Sequence, residues 1–95
     1  MAAFIIARIN VTNPEQYEKY KALAPAAIAK HGGEYLARGG AVETLEGDDE
    51  ARRVVILKFP DMTAARAFYD SAEYTAARAE RKGAAIGQFL LVEGL

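Results

Sequence analysis

The sequence predicts an α+β domain in which four antiparallel strands form a sheet with helices packed on one face. Three observations carry that expectation. Segments with period-two alternation are interleaved with segments of 3.6-residue apolar period, in the order strand, helix, strand, strand, helix pair, strand. Turn and cap residues of the right kind stand at the joints. The chain has 95 residues and no cysteine, enough for one domain with an apolar core and no disulfide framework.

Each element follows from its residues. Ala3, Ile5, Ala7, Ile9 and Val11 fall on one side of an extended segment, and Phe4, Ile6, Arg8 and Asn10 on the other. This predicts a first strand over 3–11. Asn13-Pro14 then opens a helix: asparagine caps, proline suits the first helical position, and Gln16 stands where its side chain can reach back to the cap. Tyr17, Tyr20, Ala24, Ala27, Ile28 and His31 share one stripe of that helix. Pro25 lacks an N–H and is expected to kink or split it, and Gly32-Gly33 to stop it.

Glu34 to Glu46 reads as a second strand interrupted at Gly39-Gly40, where a bulge, a bend or a close approach to bare backbone is expected. Gly47-Asp48-Asp49-Glu50 is a polar turn, and Arg52 to Phe59 is a third strand, paired with the second as a hairpin. Pro60 ends that strand and Asp61 caps a helix whose inward stripe is Met62, Ala65, Phe68 and Tyr69. Asp70-Ser71 breaks this helix and, with Glu73, caps another reaching about Lys82, closed by Gly83. Ala85 to Glu93 is the fourth strand. The order is that of the split βαβ, ferredoxin-like arrangement.

The helices of such a fold cover one side of the sheet only. Strands one, three and four nevertheless carry bulk on both sides, which a sheet facing water would not. The expected cover is a second copy of the same chain related by a two-fold axis, making a homodimer through the sheet face.

Composition removes several functions. Twelve Lys+Arg against 13 Asp+Glu give a net charge of −1, which argues against a nucleic-acid partner. The apolar run from Met1 to Ala7 is far too short to cross a membrane and has no basic segment before it, so a cytoplasmic protein is expected. One histidine and no cysteine argue against a zinc site. The acidic stretch Glu46 to Glu50 lacks calcium-loop spacing and reads as a solvated tip. The lone Ser71 has no nucleophile-elbow glycines, and no phosphate-binding loop is present. No metal or cofactor is therefore expected.

The residues left to carry chemistry are few. His31 has a useful pKa for a general base, although a histidine beside a helix C-terminus is also favoured there for structural reasons. Arg38 suits a carboxylate or enolate, or pairs structurally with an acid across the sheet. Tyr74, Ala77, Arg78 and Arg81 share one face of the last helix, opposite Ala72, Ala76 and Ala79. Either the alanines pack on the sheet, leaving Tyr74 and Arg81 in solvent or at an interface, or Tyr74 and an arginine turn into the cleft between helix and sheet. The solvent or interface setting is preferred. Tyr17, Tyr20 and Tyr69 belong to inward stripes and read first as core.

Tyr17 and Tyr20, the run His31-Gly32-Gly33-Glu34-Tyr35-Leu36-Ala37-Arg38-Gly39-Gly40, and Leu45-Glu46-Gly47 form the first half of a recognisable pattern. Val55-Ile56-Leu57-Lys58-Phe59-Pro60, Ala67-Phe68-Tyr69, Ser71-Ala72-Glu73-Tyr74, Arg81 and Glu93-Gly94 continue it. Together they resemble the uncharacterised domain-of-unknown-function family 1330, placed among the dimeric α/β-barrel proteins. The resemblance implies a ferredoxin-like protomer whose sheet packs on that of a partner to form a barrel. The wider superfamily includes cofactor-independent monooxygenases, lactone isomerases and haem-degrading enzymes, which use a cleft between helices and sheet.

Three functions are consistent with these readings. The first is a homodimer binding a small anionic or aromatic molecule in a cleft walled by Tyr17, His31, Arg38, Tyr69, Tyr74 and Arg81. The second is a cofactor-independent enzyme, monooxygenase- or isomerase-like, in which His31 or a tyrosine moves a proton and Arg38 stabilises an enolate. It requires those groups to converge on one pocket. The third is a structural or interaction protein with no pocket larger than a few waters.

Overall fold

A computed structural model of the chain describes residues 1–95. It contains β1 (Ala3–Val11), α1 (Pro14–Lys30), β2 (Glu34–Arg38), β3 (Arg53–Phe59), α2 (Met62–Asp70), α3 (Ala72–Arg81) and β4 (Ala85–Glu93). The strands form one sheet in the order β2-β3-β1-β4 with every neighbouring pair antiparallel. This is the ferredoxin-like α+β fold. No helix is long and apolar enough to cross a membrane.

The alternation in β1 sorts its residues as expected. Ala3, Ile5, Ala7 and Ile9 are buried under the helices, and the small side chains among them let α1 and α2 lie close. Tyr17, Tyr20, Ala24, Ala27 and Ile28 of α1, Ala65 and Phe68 of α2, and Tyr74 and Ala77 of α3 complete the core with Leu57 and Phe59 of β3. The three helix starts are capped by side chains. Asn13 Oδ1 accepts from the Gln16 N–H at 3.2 Å, Asp61 Oδ1 from Ala64 at 2.8 Å, and Ser71 Oγ from Tyr74 at 3.1 Å. Each satisfies an amide that the first helical turn leaves without a partner.

The other sheet face carries no helix. On it Ile6 stands in register between Ile56 of β3 and Leu90 of β4, with Phe4 beside Val92. Leu90, Val92 and Ile86 are 42%, 46% and 72% exposed. Polar side chains border this apolar centre: Lys58 lies in register with Phe4, and Arg8 Nη1 donates to Gln88 Oε1 at 3.0 Å.

Four expectations need correction. The second strand does not continue to Glu46 but ends at Arg38. Gly39 donates its N–H to the Val54 carbonyl at 2.9 Å and then turns the chain with φ +69°, a conformation natural to glycine. The residues from Gly40 to Arg52 leave the ladder. Their end is pinned by Glu50, which accepts from Arg52 Nε at 2.8 Å and lies 3.9 Å from Arg8.

Pro25 does not split α1, which runs unbroken through it. An interior proline costs about 3 kcal/mol. Buried Ala24, Ala27 and Ile28 on either side hold the two segments in line. Gln16 does not reach back to the cap; its side-chain Nε2 donates to Glu80 of α3, to the backbone oxygen at 3.2 Å and to Oε2 at 2.8 Å. Finally, α3 turns Tyr74 and Ala77 inward and leaves Ala72, Ala76 and Ala79 exposed. The preferred solvent setting for Tyr74 is overturned. Its ring supplies far more apolar area than an alanine stripe, and the flanking arginine stems are themselves apolar.

Candidate binding site

Between α1 and the inner face of the sheet lies a small cavity of about 30 Å³. Ala7 and Ile9 form its floor. Tyr17, Tyr20, Lys21, Ala24 and Ile28 descend from α1, Tyr35 and Arg38 enter from β2, Arg53, Val55 and Leu57 from β3, and Phe89 from β4. The helix stripe and the inward rows of the strands therefore meet at a place rich in tyrosine and arginine.

Arg53 belongs to the same inward row as Leu57 and Phe59. Its guanidinium lies 6.0 Å from the Tyr17 ring centroid. It also lies against Gly39, where an added Cβ would collide with Arg53 Nη1. The sequence suggested that something approaches bare backbone here, and that something is this guanidinium. Arg38 stacks on the Tyr35 ring at 4.5 Å and pairs with no acid.

A second set of groups stands behind Tyr20. The Tyr20 and Tyr74 hydroxyls are hydrogen-bonded at 2.6 Å, and Arg81 Nη1 donates to the Tyr74 oxygen at 3.1 Å. The Arg81 guanidinium is 5.1 Å from the Tyr20 ring centroid and 4.3 Å from that of Phe89. Tyr74 is held in place because Ser71 caps its helix and because its ring packs on Phe68 at 4.3 Å.

The electrostatics are one-sided. The ion pairs of the molecule join Arg8 and Arg52 to Glu50, Lys21 to Glu18, and Lys30 to Glu73. Arg38, Arg53 and Arg81 have no carboxylate within ion-pair distance, and the buried Arg53 Nε has no hydrogen-bond partner. Stacking on tyrosine compensates only part of that charge. Burial is the main cause that raises the Tyr17, Tyr20, Tyr35 and Tyr74 hydroxyls above their ordinary value. At neutral pH these hydroxyls are neutral hydrogen-bonding groups rather than phenolate bases.

The sign of the linkage follows. A tyrosine whose folded pKa exceeds its unfolded one stabilises the fold fully below the unfolded value, near 10, and loses that contribution as pH rises beyond it. Raising the pH above about 10 should therefore unfold the protein cooperatively. Phenolate absorbance and circular dichroism, followed together, should change in one step. Separate tyrosine ionisation in a folded chain would contradict the burial.

The six residues singled out by sequence are not all brought together. Tyr17 and Arg38 line the cavity, and Tyr74 and Arg81 form the wall behind it. Tyr69 instead borders an open cleft of about 330 Å³ under α2, with Ile5, Ala65, Arg66, Asp70, Phe89, Leu90 and Leu91. His31 caps the C-terminus of α1 and sits 6.4 Å from the Phe68 ring. It lines neither hollow, so it offers no base to Arg38. Sequence reasoning passed over Arg53 and Tyr35 and read Tyr20 only as core. Strand parity was the available signal, since Arg53 falls two residues from Val55 and four from Leu57. No group of three His, Asp or Glu side chains is placed to hold a metal.

Comparison with known proteins gives a family and a fold. The chain belongs to the family described as Domain of unknown function (DUF1330), whose model matches residues 2–95. No curated protein matches it. A protein of unknown function from Rhodopseudomonas palustris is similar in structure at a TM-score of 0.77 and 19% identity, covering 99% of this chain and 82% of that one. SnoaB, a cofactor-independent oxygenase from Streptomyces nogalater, is similar at a TM-score of 0.70 and 17% identity, covering 99% and 93%. A dimeric protein of unknown function with a ferredoxin-like fold from Bacteroides fragilis reaches 0.60 at 10% identity, covering 98% and 96%.

Proposed function

We propose that this DUF1330 protein is a cytoplasmic homodimer, joined through the helix-free sheet face, that binds a small organic anion beneath α1. Arg53 and Arg38 receive the anionic group, and Arg81 adds positive potential from behind. The tyrosine rings supply flat apolar walls, and their neutral hydroxyls supply hydrogen bonds. The observation that carries this reading is that Arg38 and Arg53, neither paired with a carboxylate, line one aromatic-walled hollow, with the unpaired Arg81 behind it. The open cleft under α2 also exceeds what a purely structural protein requires.

For the enzyme reading, His31 stands apart from Arg38, so a proton there would have to move through a tyrosine of the hollow. The dimeric relative from Bacteroides fragilis supports self-association, and the exposed apolar centre of the sheet supports that face as its place.

Titration of the protein with butanoate and with its neutral counterpart, 1-butanol, tests the binding. Butanoate should bind and the alcohol should not. Arg53→Gln should weaken butanoate binding by about tenfold or more, the usual size of a lost charged hydrogen bond. Equal binding of acid and alcohol, or an unaffected Arg53→Gln variant, would remove the basis for an anion site.

A further inference from the structure

The small cavity leaves a question of size. About 30 Å³ accommodates a carboxylate head with only a short chain, whereas sites for small organic ligands span several hundred Å³. The open cleft under α2, at about 330 Å³, has that size. One side chain, Phe89, lines both hollows. Its ring has the Arg81 guanidinium against it at 4.3 Å and Tyr69, from the cleft wall, at 6.4 Å. A head group held near Arg81 is therefore separated from the cleft by little more than one aromatic ring.

We infer that Phe89 is a movable partition, and that the ligand is an amphipathic carboxylate with its head on the arginines and its apolar tail in the cleft under α2. The inference rests on the anion site proposed above and extends it to the rest of the molecule bound. The cleft walls suit a tail: Ile5, Ala65 and Leu91 are apolar, and the charged side chains bordering it, Arg66 and Asp70, are exposed. The ring lies over Gly87, two residues back on the same face of β4, where an added Cβ would stand only 3.1 Å from it, so the glycine leaves the partition its place. Phe89 is half-buried rather than locked in the core.

The test compares butanoate with decanoate on the intact protein, with affinity measured by calorimetry and location by methyl and arginine side-chain NMR. Each buried methylene is worth about a fourfold gain, so decanoate, with its longer tail mostly buried, should bind about a thousandfold tighter than butanoate. Decanoate should shift the methyl signals of Ile5 and Leu91 together with the Arg53 side chain, whereas butanoate should shift Arg53 alone. In Phe89→Ala the partition is gone, and decanoate should associate about tenfold faster than with the wild type.

Butanoate binding with no gain from the longer tail would overturn the partition while leaving the anion site intact. So would decanoate shifts confined to the cleft, or an unchanged association rate in Phe89→Ala. Failure of both acids to bind would overturn the anion site and this inference with it.

Discussion

Replacing Ile6 with aspartate should leave a folded protein that sediments as a monomer, where the wild type should sediment as a dimer. Ile6 stands at the centre of the helix-free face, in register with Ile56 and Leu90. It points away from the core, so a lone protomer exposes the new carboxylate to water at little cost. In the proposed homodimer the face meets its own copy, and each protomer brings a carboxylate to a place where neither water nor a cation neutralises it. Burying an unpaired charge costs several kcal/mol, so the dissociation constant should rise about a thousandfold or more. Analytical ultracentrifugation reads the change directly, and an unaltered circular dichroism spectrum shows that the fold survives. A wild type that is monomeric at micromolar concentration, or an Ile6→Asp variant that stays dimeric, would remove this face as the interface.

Phe68→Ala should have the largest effect on stability. The Phe68 ring is 1% exposed and packs on Phe59 at 5.0 Å and on Tyr74 at 4.3 Å, with His31 edge-on at 6.4 Å. It thus joins α2 to β3, to α3 and to the C-terminal end of α1. Truncating a buried phenylalanine costs about 3–5 kcal/mol in lost transfer energy and in the cavity left behind. Domains of this kind are stable by about 5–15 kcal/mol in all, so the variant should be marginally folded at best. The urea midpoint should fall sharply, with the slope unchanged if the denatured state is unaffected. Tyr74 loses the support of its ring in the same variant, so anion binding should weaken beyond what reduced folding alone accounts for. A midpoint within experimental error of the wild type would mean that the aromatic cluster is not a cooperative part of the core.

Much of the fold was legible because its devices are local. Strict alternation in Ala3–Val11, a capping Asn13-Pro14, Asp61 before an amphipathic turn, and Ser71 between two helices each act within a few residues. The second strand was misjudged because the apolar alternation after Gly39 suggests pairing. Only the turn at Gly39, closed by its bond to Val54, shows that the chain departs. The facing of α3 was undecidable by hydropathy, since arginines with apolar stems count as polar in any average. The site was half legible for the same reason. Tyr17 and Arg38 were found by residue type, and Tyr74 and Arg81 by their shared helix face. Arg53 was obscured by the apolar run Val54–Leu57 that follows it. His31 shared the α1 stripe, yet its end of the helix faces the Phe68 cluster rather than the arginines.

The contact between Glu50 and Arg8 joins two regions that otherwise have separate tasks. Arg8 belongs to the outer surface of β1, while Glu50 also grips Arg52, the immediate neighbour of Arg53. Arg8, Glu50 and Arg52 thus form a chain of charged side chains leading from that outer surface to the residue beside Arg53, a route between the proposed interface and the proposed anion site. Whatever free energy occupying either one transmits to the other must, by thermodynamic reciprocity, return in equal measure: a ligand that tightens assembly is one that assembly makes bind more tightly.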